Sequence, residues 1–410
     1  MADINKYIKV IGAGVGKINV NPIIKDHVDW ADIVVGGKRL LNELDCTETK
    51  KRFIIKGDIK VVLEKIESAV RDGKKVLVIS DGDPLFFGIG KKIIHKFGIN
   101  NVEIHPNITV AQIACARLGI SFDQMKVVSL HGKKDFFPIL SAMMNYEAIG
   151  IYTDNTSGPK KIADELIKRD IKEFSMIILE DLGTSDEKIR EFDIKDVLNN
   201  HFSQLNFVVL KRKAFSKPAN IKVGMEDGFY IHEQGLITKR EIRAISISKL
   251  DLNKNSIIWD IGGGCGSIAI ECSAIARNGK IFCIEKSLKR IHMIRQNIKK
   301  AKAYIVEPIF GKAPECLKTL PAADRVFIGG GLSKNPEILE YVGKHIKNKG
   351  IIVMNIALIE SLTKAISFFH KNSWKFELIQ VVVSKSNPIA KSIALISLNP
   401  IFIIKAEKAL

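Results

Sequence analysis

Two glycine-rich stretches carry most of the chemistry that this chain offers. At positions 259–267 it reads WDIGGGCGS, so that Asp260, Gly262, Gly264 and Gly266 form D-x-G-x-G-x-G between a strand-like run and a helical one. Glycines there let backbone approach a ligand closely, and the following helix begins with free amide groups. An acid closing the next strand, about 20 residues on, is the expected partner of ribose hydroxyls, and Glu285 closes KIFCIE at that distance. The leading aspartate and the missing G-x-x-G spacing favour S-adenosylmethionine over a nicotinamide cofactor, because the methyl donor has no pyrophosphate to cradle. The plainer alternative is a tight strand-to-helix turn without a ligand. KVIGAGVGKIN at positions 9–19, with Gly12 and Gly14, is a second loop of this kind and by itself a weaker signal.

Other reactive side chains suggest less. Cys265 inside the loop reads as a small filler rather than a nucleophile. The six cysteines (Cys46, Cys115, Cys265, Cys272, Cys283, Cys316) include no C-x-x-C pair and the histidines are dispersed, so reduced thiols and no protein-bound metal are expected. The net charge of +18 suits a polyanionic partner, whether nucleic acid, an anionic membrane surface or a polycarboxylate. Basic residues are nevertheless spread in pairs such as Lys91-Lys92, without an arginine-rich tail, so charge alone decides nothing.

The elements that must position these residues fall into two halves. A chain of 410 residues, 46% hydrophobic, can bury two or three cores. In the first half YIKVIGAG, DIVVGG, KKVLVIS, NVEIHPN, EAIGIYTD, FSMIILEDLG and LNFVVLKRK read as strands separated by helical segments, which predicts a parallel sheet with crossover helices. A linker is expected over 213–228, where AFSKPANIKVGMEDG has no period. In the second half TKREIRAISISKL reads as a helix with Ile242, Ile245 and Leu250 on one side, followed by strands SIIWDIG, GKIFCIE, ADRVFIGG and KGIIVMNIA. KFELIQVVVSKS and SIALISLNPIFIIKA read as two long strands around a proline-containing loop. No apolar run approaches the roughly 20 residues that span a bilayer, and the amino terminus lacks a signal-peptide pattern; a soluble cytoplasmic protein is expected.

Two resemblances follow from these stretches. VIGAGVG, SDGDPLFFGIG, HPNITVAQIACARLGI, VVSLHG and IYTDNTSGPKKIADELIKRD occur in the order of the tetrapyrrole methylase family, over about 7–210. GLITKREIRAISISKL, WDIGGGCGSIAIECS, IEKSLKRIHMIRQNIKKA, GKAPECL and ADRVFIGGG resemble the decarboxylating precorrin methyltransferase module of cobalamin biosynthesis, over about 229–380. The resemblance implies an α/β chain: a two-subdomain tetrapyrrole methylase fold over 1–212, the 213–228 linker, and a Rossmann-like class I methyltransferase domain over 229–410. It further implies methylation of a precorrin-6 intermediate at C5 by the first domain and at C15 by the second, with loss of the C12 acetate carboxyl, giving precorrin-8. Each domain would bind its own S-adenosylmethionine.

Carried over position by position, the first donor site would comprise Gly12 and Gly14, then Gly82, Asp83 and Pro84, then Thr109 and Val110, then Thr153 and Asp154. The second would comprise Asp260, Gly262, Gly264, Gly266, Glu285 and Ala313, with Thr238 and Gly329, Gly330 and Gly331 facing the tetrapyrrole. Lys312 stands where the family carries an acid. The plainer alternative for Asp83 and Asp154 is a turn or cap residue, and for Thr238 a helix N-cap before Glu241. An activated methyl and an enamine-like meso carbon need alignment in a dry cleft rather than a catalytic triad, and no catalytic residue is assigned. The substrate's carboxylates give the basic charge a cause, with no nucleic-acid or membrane partner implied, and the first family commonly forms homo-oligomers. The competing expectation is an RNA methyltransferase, which the charge also suits; a nicotinamide-dependent siroheme-type enzyme or a silent binding scaffold is a third.

Overall fold

The apolar runs do become strands, and in the computed structural model they build two compact units, residues 1–134 with 146–216 and residues 135–145 with 217–410. The structure describes residues 7–16, 22–44, 50–132, 135–233, 235–330, 335–390 and 392–409. In the first unit β1 (Ile8–Gly12), β2 (Ile33–Gly36), β3 (Lys51–Ile54), β4 (Val76–Ser80) and β5 (Val102–His105) form a parallel sheet ordered β3-β2-β4-β1-β5. Val76 to Ile79 are buried along their whole length, as a central strand covered on both faces must be. The edge strand β3 escapes sequence reading because KRFI is largely exposed and has no apolar run.

A second sheet in this unit is ordered β6 (Met125–Ser129), β7 (Ala148–Tyr152), β10 (Asn206–Arg212), β8 (Phe174–Glu180) and β9 (Lys188–Asp193). Here the expectation of parallel strands fails: β10 lies antiparallel between β7 and β8, and β9 is antiparallel to β8. All seven residues of β8 are buried, which signals a central strand but not its direction. No long helix separates β8, β9 and β10, and strands joined without a crossover helix pair antiparallel. Val15 and Phe86, from loops after β1 and β4, pack against the core of this second sheet, bringing the ends of the two sheets together.

The second unit has one seven-stranded sheet built from β11 (Ile257–Ile261), β12 (Lys280–Glu285), β13 (Val306–Phe310), β14 (Arg325–Ile328), β15 (Ile351–Ile356), β16 (Lys375–Val381) and β19 (Ile401–Glu407). Their order is β13-β12-β11-β14-β15-β19-β16, parallel except for β19, which is antiparallel to both its neighbours. The chain moves outward from β11 to β13 and then returns to the other side at β14. That reversal opens a crevice beyond the carboxyl end of β11, where ligands bind in open α/β sheets. Trp259, Val326, Met354 and Ile404 pack against Ile338, Val342, Ala365 and Phe369 from helices Glu337–His345 and Ile359–Lys371. The helix Phe137–Asn145 belongs to this unit: the Ser141 hydroxyl donates to the Arg277 carbonyl at 2.6 Å, and Asp135 pairs with Lys280 at 2.8 Å.

Two expectations about the second half are corrected. The carboxyl-terminal stretches hold four strands, because β17 (Ser384–Ile389) and β18 (Ser392–Ser397) form a separate two-stranded ribbon between β16 and β19. Pro388 sits inside β17, which a two-stranded ribbon tolerates because each strand has a free edge. On the helix Arg240–Lys249 the buried residues are Ile242, Arg243, Ser246 and Ile247 rather than a purely apolar stripe. Among the described residues no helix is long and apolar enough to cross a membrane.

Candidate functional sites

The first unit gathers several predicted positions into one turn. The Gly14 amide donates to the Gly82 carbonyl at 3.3 Å and the Gly82 amide returns a bond to Gly14 at 3.0 Å, closing the ends of β1 and β4 against each other. A Cβ on Gly12 would lie 2.2 Å from the Gly82 carbonyl oxygen, so only glycine permits this approach. Asp83 accepts from the amides of Leu85, Phe86 and Asn107, and the Asn107 side-chain amide donates to the Gly12 carbonyl at 2.9 Å. Asp83 is thus a loop-holding turn residue, and Pro84 begins the fold-back in which Gly88 and Gly90 press on its carbonyl. Thr109 caps the helix Val110–Leu118 in a reciprocal capping box with Gln112, which T-x-x-Q signals in sequence. A depression of about 670 Å³ is lined by Asp83, Phe86, Asn107, Thr109, Gln112 and Phe122 among others. Asn107 and Gln112, absent from the sequence-based set, are the polar side chains that complete it.

Thr153 and Asp154 stand apart from this depression, at the end of β7. The Thr153 hydroxyl contacts the carbonyl and side-chain oxygens of Asn206 at 2.9 and 2.8 Å. Burial opposes ionisation of Asp154, but bonds from the Gly132, Thr156 and Ser157 amides and the Thr156 hydroxyl prevail and hold its carboxyl down at about 2. A depressed acid stabilises the fold above its unfolded pKa near 3.8, and this contribution is lost as pH falls from about 4 to about 2. Asp154→Asn is therefore expected to lower the melting temperature by a few degrees at pH 7, and thermal melts should show that gap closing towards pH 2.

In the second unit a cavity of about 630 Å³ opens at the crevice beyond β11. It brings together Asp260, Gly262, Gly264, Thr238, Gly329 and Gly330; Gly266, Glu285 and Ala313 do not line it, and Gly331 lies outside the described residues. Gly262, Gly264 and Gly266 all have positive φ, of 78, 59 and 84°, so their alternation builds a left-handed turn that other residues adopt at a cost. Gly266 starts the helix Ser267–Cys272. Glu285 holds the turn from behind: its carboxylate accepts from the Gly264 amide at 3.1 Å and the Ser287 amide at 3.0 Å. Ala313 is a core residue beneath the sheet. Thr238 is not the helix N-cap, a position that Lys239 occupies without a side-chain bond, so its hydroxyl is left to the cavity wall.

Asp260 is the most unusual group in the cavity. One carboxylate oxygen, Oδ2, accepts from the Ala269 amide at 3.2 Å and the Cys283 thiol at 3.6 Å, whereas Oδ1 is buried and accepts from none of the described residues. Burial pushes this carboxyl up to about 7, with the Glu285 charge acting in the same sense. An orphaned acid in a cradle of glycine backbone fits a cationic ligand with a nucleoside, which describes S-adenosylmethionine. The loop thiol Cys265 is buried and its pKa raised by that burial, in keeping with a filler.

Sequence reading missed the framework behind the cavity. Arg243 and Glu271, both fully buried, pair at 2.7 Å. Glu271 also accepts from the Gly224 and Met225 amides and the Tyr230 hydroxyl, while Arg243 donates to Asp227 and to the carbonyls of Met225 and Thr238. The pair thereby ties the segment before the helix to the cavity wall. An arginine inside an apolar pattern was the available signal. Among the described residues no group of His, Cys, Asp or Glu is placed to hold a metal ion.

A seven-stranded sheet with a glycine turn and an orphaned acid at its reversal point, joined to a unit of two smaller sheets, defines a two-unit α/β methyltransferase. Residues 10–198 match the model of the tetrapyrrole (corrin/porphyrin) methylases, and residues 229–408 that of the precorrin methyltransferase domain. A precorrin-6Y C(5,15)-methyltransferase [decarboxylating] from Sinorhizobium sp. is 27% identical over 397 residues, covering 95% of this chain and 93% of the relative. A probable cobalt-precorrin-6B C(15)-methyltransferase (decarboxylating) from Sulfolobus acidocaldarius is 37% identical, covering 45% of this chain and 97% of the relative. A cobalt-precorrin-7 C(5)-methyltransferase from Salmonella typhimurium is 34% identical, covering 50% and 98%. The chain belongs to the tetrapyrrole methylases through its first half and to the precorrin methyltransferases through its second. Both families take their methyl group from S-adenosylmethionine.

Proposed function

We propose that the chain methylates a precorrin-6 intermediate at C15, removing the C12 acetate carboxyl, and at C5, with precorrin-8 as product of cobalamin biosynthesis. The observation that carries this reading is the union in one chain of a half resembling a C(5)-methyltransferase and a half resembling a decarboxylating C(15)-methyltransferase, each along nearly the whole of its relative. Residues 1–212 would act at C5 and residues 229–410 at C15, with 213–228 between them. The relatives' substrates are numbered 6B for C15 and 7 for C5, which supports C15 methylation as the earlier step.

When bound, S-adenosylmethionine supplies a methyl group already activated on a sulfonium. In the second unit Asp260 would receive the donor's ammonium group on its free Oδ1, while the backbone of Gly262 and Gly264 lies against the nucleoside and Thr238, Gly329 and Gly330 face the macrocycle. Glu285 holds the turn and, by its position at the end of β12, is also the candidate for the ribose hydroxyls. In the first unit the Gly12, Gly14 and Gly82 turn, with Asp83, Pro84, Thr109 and Val110 around it and Thr153 and Asp154 at the end of β7, would form the other donor site. The reading places the work in the cytoplasm, on a polycarboxylate held by basic side chains, in a homo-oligomer. Single-turnover reaction with a precorrin-6 substrate, followed by mass, is expected to add two methyls and release one carbon dioxide; unchanged substrate overturns the reading. Calorimetry is expected to titrate two S-adenosylmethionine sites per chain, and a single site in the unaltered protein would remove the two-centre arrangement.

A further inference from the structure

Asn355, near the end of β15, lines the second unit's cavity, and its side chain is tethered on one side only. Its Oδ1 lies 2.8 Å from the hydroxyl of Ser246, a residue on the helix Arg240–Lys249 with no exposed surface, which also reaches the Ile242 carbonyl at 2.7 Å. Its Nδ2 is buried and has no partner among the described residues. A hydroxyl has a single proton to give and an amide has two ends, so whichever way the Asn355 amide is turned one buried polar end is left unsatisfied. Such an end costs about 1–3 kcal/mol unless something binds it. Ser246 and Asn355 are 109 residues apart in sequence, and one buried polar residue spent on orienting another is hard to explain by packing.

The charges on the cavity wall indicate which end faces inward. Lys239 and Arg290 are its cationic lining residues and Asp260 its acidic one. Arg290 is neutralised by Glu233 at 2.9 Å, whereas the ammonium of half-buried Lys239 makes no hydrogen bond or ion pair with any described residue. The wall therefore presents an unpaired cation and an unpaired amide, a combination that suits an anion with oxygen acceptors. With the Ser246 hydroxyl donating to Oδ1, Nδ2 is the end left for that anion.

We propose that Asn355, oriented by Ser246, is a specificity-determining residue that donates from Nδ2 to a carboxylate of the corrin substrate, with Lys239 providing the positive charge on the same wall. This rests on the reading of the second unit as a methyltransferase of a polycarboxylate macrocycle. The carboxylate held is one that the product retains, because a cation and a donor clamped on the departing carboxylate would stabilise the ground state against its loss.

The test compares Asn355→Asp and Asn355→Leu with the unaltered full-length chain, reading KM and kcat for C15 methylation of a precorrin-6B-type substrate and donor affinity by calorimetry. Losing a donor to a charged acceptor raises KM about tenfold or more, and the aspartate, nearly the same size but negative, is expected to raise it beyond the leucine. kcat and donor affinity should change little, and Ser246→Ala should raise KM several-fold by freeing the amide. A merely structural Asn355 would lower the melting temperature in these variants and leave KM at its original value, overturning the proposal. Equal KM values for the aspartate and leucine variants would also overturn it. If the unaltered chain does not turn the substrate over, the functional reading falls and this inference with it; turnover with an unchanged KM in Asn355→Asp removes this inference alone.

Discussion

At pH 8 the Asp260→Asn protein is expected to melt above the unaltered protein while failing to bind S-adenosylmethionine in its second unit. The two effects have one cause. Burial raises the Asp260 carboxyl from 3.8 to about 7, so the folded chain holds this proton more tightly than the unfolded chain does. The destabilisation is absent below about pH 4, grows as pH rises, and is complete above about 7. A shift of about three units corresponds to roughly 4 kcal/mol. Asparagine keeps an acceptor for the Ala269 amide and removes the charge, but puts an unpaired amide in place of Oδ1, which returns about 1–3 kcal/mol. A net gain of roughly 1–3 kcal/mol at pH 8 remains, and it should vanish by pH 4. A cationic donor offsets the cost of ionising Asp260, so donor affinity in the unaltered protein should rise with pH up to about 7. Melting curves at pH 4 and 8, with calorimetric titration of the donor, decide the matter. A variant that melts lower at pH 8 and still titrates two donor sites would show that Asp260 is neither strained nor a ligand.

That residue also marks how far the sequence could be read. The alternating glycines were legible because the backbone there needs positive φ, which leaves a direct trace in residue type, and Asp260 because a charged residue interrupts an otherwise apolar strand. The end of β12 located Glu285 correctly, yet its contact with the Gly264 amide was not legible, since an acid that props a turn and an acid that binds ribose look alike in sequence. GDPLFFG was recognisable for a similar steric reason: a Cβ on Gly88 would lie 2.4 Å from the Pro84 carbonyl oxygen. Strand direction was lost in the first unit because a fully buried run such as FSMIILE carries no alternation to reveal its partners. The least legible features were pairings between distant polar residues. Ser246 with Asn355, and Arg243 with Glu271, look like ordinary helix and strand positions until the fold removes them from water.

Replacing Arg243 by methionine should be among the most damaging single changes in the second unit, at about 3–5 kcal/mol, the usual cost of leaving one member of a buried ion pair without the other. Its Glu271 partner has no exposed surface, so an uncompensated carboxylate would remain with three neutral donors, the Gly224 and Met225 amides and the Tyr230 hydroxyl. Those bonds are also why methionine at both positions would not restore the site: two amides and a hydroxyl would then be orphaned. Glu271→Gln in the Arg243→Met background removes the charge and keeps an acceptor, and should recover about 0.5–3 kcal/mol, the range of coupling between contacting residues. Denaturant unfolding followed by tryptophan fluorescence reports on this unit, where Trp259 and Trp374 are both buried. The pair also anchors the Thr238 carbonyl, so at temperatures where the variant remains folded KM for C15 methylation should rise while C5 methylation continues. Single and double variants whose effects add to within about 0.5 kcal/mol would mean that the two charges are independent, and that the wall bearing Thr238 is held by something other than this pair.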